Sequence, residues 1–107
     1  MALKESAYEK PFVEWVRSLG GTSPKGPAMQ YKGIPDRIVV LPNGGGTVWV
    51  EFKNGVYNLT PMQKWWRDLL MSSDPERYFT VTTKDELEYC KKRCLEFMGM
   101  KDETIGG

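Results

Sequence analysis

The chain has 107 residues, 40% of them hydrophobic and including four Trp and four Phe, enough for one modest core and too few for two domains. Fifteen Lys and Arg stand against 14 Asp and Glu, and a net charge of +1 excludes a broadly basic surface, so any attraction to phosphate must be local. No apolar run is long enough to span a membrane, the start MALKESAYEK lacks a signal peptide's apolar stretch, and without His the pair Cys90 and Cys94 cannot complete a zinc set, so the chain reads as a cytoplasmic protein with reduced thiols.

Residues 4–19 are expected to be helical, with Phe12, Val16 and Leu19 on one stripe and Gly20-Gly21 as a stop. Pro11 requires that this helix either kink there or begin close by. Residues 20–34, GGTSPKGPAMQYKGI, carry four Gly and two Pro and read as a long loop, a feature that in a compact domain is usually functional. Residues 37–41 and 47–53 are β-rich runs joined by PNGGG, a hairpin signal. Thr60-Pro61-Met62-Gln63 then supplies a preferred N-cap, a proline at the first helical position and the glutamine that closes a capping box. That helix runs to about residue 71 and ends at SSDPE. Residues 78–82 form a third strand, and 84–98 a last helix with Leu87, Cys90, Cys94 and Leu95 on its apolar side. The tail, residues 100–107, is expected to fray. The result is one α/β domain over residues 1–107 in the order α-β-β-α-β-α, a small central sheet flanked by helices.

The segment KGIPDRIVVLPNGGGTVWVEFK, residues 32–53, concentrates the chemistry. Asp36 opens the first β run, and Glu51 and Lys53 lie near the end of the second. Strand side chains alternate, so Glu51 and Lys53 share one face while Val50 and Phe52 enter the other layer. Charged groups in an apolar strand are costly unless they are paired or bind a metal. Two carboxylates can hold a hard divalent cation, with a lysine beside the attacking water, which is what phosphodiester hydrolysis requires. The same residues would equally serve as a salt-bridged face on an exposed sheet edge.

The segments GIPDRIVVLPNGG, VWVEFK and LTPMQKWWRDLL, preceded by a helix ending in LGG and followed by the strand YFTVTT, resemble the VRR-NUC family of the PD-(D/E)xK nuclease superfamily. The likeness is to its small standalone members from phages and bacteria, and it covers about residues 5–83. It implies a mixed sheet in a restriction-endonuclease-like core and a Mg2+- or Mn2+-dependent endodeoxyribonuclease. In that pattern Asp36, Glu51 and the main-chain carbonyl of Phe52 become metal ligands, Lys53 the catalytic lysine, and Gln63 the glutamine of the helix after the site. A further acid is expected from the first helix. Glu9 fits the position best and lies on the Phe12 stripe, ahead of Glu5 and Glu14, although solvated helix glutamates are common. Lys25, Lys32, Arg37, Lys64 and Arg67 are the candidate phosphate contacts, each of which is also an ordinary solvated cation by composition.

The resemblance also implies a homodimer, in a bacterial or phage-infected cell, that cuts branched DNA and above all the four-way (Holliday) junction. Trp15, Tyr57, Trp65 and Trp66 exceed the needs of one small core and are candidates for the interface. Nicking of flaps or other DNA in repair or restriction, and a non-cleaving DNA-binding module, are the alternatives.

Overall fold

The computed structural model describes residues 7–54 and 58–100. Its elements are α1 (Glu9–Ser18), β1 (Arg37–Leu41), β2 (Gly46–Phe52), α2 (Pro61–Ser73), β3 (Tyr78–Val81) and α3 (Lys84–Phe97). The expected order is therefore the observed one. β2 lies at the centre of a three-stranded mixed sheet, antiparallel to β1 and parallel to β3, with α2 as the connection between the parallel pair. Among the described residues no helix is long and apolar enough to cross a membrane.

One face of the sheet carries the core. Val39 and Leu41 of β1, Val48, Val50 and Phe52 of β2 and Val81 of β3 meet Phe12 and Val16 of α1 and Leu87, Cys90 and Cys94 of α3. The Phe12 and Phe52 rings are 5.7 Å apart, which locks α1 over the last residue of β2. Each fully buried aliphatic or aromatic side chain of this kind contributes about 1.5–3 kcal/mol. Cys90 and Cys94 are free thiols within this layer, and the hydrogen bond that Cys90 shares with Cys94, together with burial, pushes the Cys90 thiol up. They act as small apolar fillers. α2 has no fully buried residue and lies over the other face, the one bearing Glu51.

Three local features settle, depart from or add to the expectation. α1 starts at Glu9, and its first main-chain bond runs from Phe12 N–H to the Tyr8 carbonyl. Pro11 thus occupies the first turn, where no amide donor is needed, and the helix begins near it. Residues 4–6 of the expected helix, together with Glu5, Tyr57 and residues 101–107 of the tail, lie outside the described residues. The segment 20–34 is also more ordered in its pairing than a loop reading implies. Thr22 bridges Val40, Lys25 bridges Arg37, and Ile38 N–H donates to the Pro24 carbonyl, so this segment covers the outer edge of β1. α3 carries a second capping box, with Thr83 and Glu86, that the sequence reading did not single out.

Candidate active site

The register of β1 on β2 pairs Arg37 with Val50, so one step earlier Asp36 stands opposite Glu51 on the same face. Two carboxylates thereby meet at the end of the sheet, and both are tied to main chain. Glu51 Oε1 accepts from Asp36 N–H at 3.2 Å, and Asp36 Oδ2 accepts from Phe52 N–H at 2.8 Å. Only 3% of Glu51 is exposed. Burial, and then the charge of Asp36, push the Glu51 carboxyl from its ordinary 4.5 up to about 8. Burial also raises Asp36, against the lowering effect of the Phe52 N–H.

α2 contributes the next group. Gln63 closes the expected capping box, since its Oε1 accepts from Thr60 N–H at 2.9 Å while Thr60 Oγ1 accepts from Gln63 N–H at 3.2 Å. The same side chain reaches the strand. Gln63 Nε2 donates to Glu51 Oε2 at 3.0 Å, and its Oε1 lies 3.5 Å from Lys53 Nζ, at the outer limit of a hydrogen bond. A single glutamine thus serves as helix cap and as bridge between the buried acid and the lysine. Gly33 (φ 83°) lets residues 27–34 come against the start of α2, where a Cβ would stand 2.6 Å from the Met62 carbonyl carbon. Trp66 fastens that approach by donating its Nε1–H to the Lys32 carbonyl.

The side chains of Asp36, Glu51, Lys53 and Gln63 line a cavity of about 420 Å³ together with Glu9, Lys25, Gly26, Ala28, Ile34, Pro35 and Phe52. Asp36, Glu51, Lys53 and Gln63, four of the residues singled out from sequence, are therefore gathered at one place. Glu9 is also present, 8% exposed at the first position of α1, whereas Glu14 is exposed and lines only a second cavity, which Glu9 also borders. Glu9 does not join the two strand acids in one cage: among the described residues no group of three His, Cys, Asp or Glu side chains is set to hold a metal. Its Oε2 accepts instead from Arg37 Nε at 2.8 Å, and Arg37 Nη1 donates to the Ser23 carbonyl at 2.8 Å. The reason is the strand alternation, because Arg37 lies on the α1 side of the sheet while Asp36 and Glu51 lie on the α2 side.

The donor set still suits a hard cation. Two neighbouring carboxylates and a main-chain carbonyl match magnesium, which keeps several waters and takes one or two carboxylates. Burial raises both carboxyls, with the charge of Glu9 adding to the rise at Asp36 and that of Asp36 adding to the rise at Glu51, a circumstance that a divalent cation relieves. Of the expected phosphate contacts, Lys25 lines the cavity, Lys32 and Lys64 are exposed and do not line it, Arg67 pairs with Asp68, and Arg37 is committed to Glu9 and Ser23. That commitment was not legible in sequence, since the partners are 28 and 14 residues away.

No protein-family model matches the chain. Over 61 residues, 57% of its length, the chain is 39% identical to the "Putative nuclease p44" of Acyrthosiphon pisum secondary endosymbiont phage 1. The match spans 64% of that phage protein.

Proposed function

We propose that this chain is a metal-dependent endonuclease of the PD-(D/E)xK superfamily, of VRR-NUC type, that hydrolyses DNA phosphodiesters as a homodimer, with the four-way junction as its main substrate. The observation that carries the reading is the pairing of Asp36 with Glu51 at the end of the sheet, with Lys53 two residues on and Gln63 bridging. The name borne by the phage relative supports nuclease chemistry.

Bound magnesium or manganese would act as a Lewis acid on the scissile phosphate and acidify a water. Asp36, Glu51 and the Phe52 carbonyl would hold the cation. Lys53 would orient the attacking water and neutralise charge developing on the phosphorus oxygens. Gln63 keeps the Glu51 carboxylate and the Lys53 ammonium in register, because α2 fixes its own backbone. Lys25, at the cavity wall, is placed to meet a neighbouring phosphate.

Labelled flap, nicked duplex and four-way junction, each with magnesium or with EDTA, test the reading. The expected result is junction cleavage with magnesium and none with EDTA. Lys53→Ala should lower cleavage at least about 100-fold while leaving fold and DNA binding intact. Cleavage in EDTA, or an active Lys53→Ala variant, would sink the assignment. A preference for flaps would move the substrate, and binding without cleavage would leave a DNA-binding module.

A further inference from the structure

The Arg37 side chain has three features that an ordinary phosphate contact does not need. It is mostly buried, with 14% of the side chain exposed, against a Glu9 side chain that is 11% exposed. It is anchored at its far end by the Ser23 carbonyl, in the segment that bridges β1 at Thr22 and Lys25. It also follows Asp36 directly as the first residue of β1, so the chain entering that strand sets a site acid on one face and this cation on the opposite one.

A buried Arg–Glu pair gains from its hydrogen bonds but loses hydration, so as a stabilising device it is close to neutral. What it does fix is geometry. Arg37 Nε engages one Glu9 oxygen, Oε2, and no hydrogen bond occupies Oε1 among the described residues. Glu9 lines the same cavity as Asp36 and Glu51, and its charge is felt by both of them.

We infer that Arg37 is a positioning residue: it holds the Glu9 carboxylate at the cavity wall so that the uncommitted oxygen can accept hydrogen bonds from the water shell of a divalent cation carried by Asp36 and Glu51. This rests on the metal-dependent reading above and assigns Glu9 a place outside the direct ligands. Groups that orient or support a metal shell in this way change metal affinity by about 10–100-fold when removed. Arg37 acts only through Glu9, so removing both should cost no more than removing the more important one.

The test is manganese titration by calorimetry on the whole chain, with circular dichroism as the check on fold. Glu9→Gln and Arg37→Met should each weaken manganese binding about 10-fold, and the double variant should be no weaker than the worse single one. Arg37→Lys, which keeps a charge but cannot reach Glu9 and Ser23 together, should fall between, and it carries the test if Arg37→Met is unfolded. DNA affinity in EDTA, and its salt dependence, should be unchanged in both. Wild-type manganese affinity in the folded Arg37 variants, or additive losses, would overturn the inference. Weaker DNA binding in EDTA with a flatter salt dependence would make Arg37 a phosphate contact instead. Asp36→Asn separates the two levels. If it too binds manganese normally, the metal reading falls and the inference with it; if it alone loses binding, only the inference falls.

Discussion

Glu51 is a carboxylate in a place that disfavours its charge. Between its ordinary 4.5 and about 8, the folded chain keeps a proton that the unfolded chain has lost. Stability of the metal-free protein should therefore fall as pH rises through that window, since the native state binds more protons than the unfolded one. Thermal denaturation in EDTA at pH 6, 7 and 8 should show a declining midpoint for the wild type and a flatter profile for Glu51→Gln, with the variant more stable at pH 8. Manganese affinity should climb over the same interval, because the proton and the cation compete for one carboxylate. An equally steep decline in Glu51→Gln would place the titrating group elsewhere. At this scale the sequence was informative about Asp36, Glu51, Lys53 and Gln63, because alternation along a strand and a capping box are local rules. It was uninformative about the partner of Glu9. That partner is chosen by which face of β1 meets α1, a tertiary fact with no counterpart in spacing.

α2 shows how one element can be both readable and underestimated. Thr60, Pro61 and Gln63 announce its start, yet nothing in the spacing says that the Gln63 amide also reaches Glu51 and Lys53. Thr60→Ala should lower stability by about 1 kcal/mol, as loss of an N-cap does. Cleavage should fall further than that loss of stability explains, and Thr60→Ser should restore both. Equal activity of Thr60→Ala and wild type at a temperature where both are folded would separate the cap from the site. α1 and the segment 20–34 illustrate the opposite case. The Pro11 ambiguity was resolved by where the first hydrogen bond forms, and the loop reading missed the bridges to β1 because Gly- and Pro-rich chain carries no strand pattern of its own.

At the scale of the molecule, the aromatic surplus noticed in the sequence resolves into distinct roles. Trp15 packs against the core with Lys91 over its ring, and Trp66 is hydrogen-bonded to the Lys32 carbonyl. Trp65, edge-on to Trp66, is 54% exposed, and Met62 and Leu69, three residues before and four residues after it on the same side of the helix, are exposed with it. A helix that buries nothing fully and shows this apolar set has a face suited to a second copy. If the dimer proposed above uses it, light scattering should give about twice the 12.3 kDa chain mass, and Trp65→Glu should give a folded monomer. The geometry then bears on the substrate. Two sites related by a twofold axis can nick opposing strands of a four-way junction in one encounter, whereas a single site must release and rebind before a second cut. Trp65→Glu should accordingly lose paired junction cleavage before it loses simple nicking of a flap, because the face altered lies on α2 away from Asp36 and Glu51. A wild-type monomer at micromolar concentration that prefers flaps would refute both the dimer and the junction substrate. It would leave the chemistry of the Asp36–Glu51–Lys53 cluster as it stands, since every residue of that cluster comes from one chain.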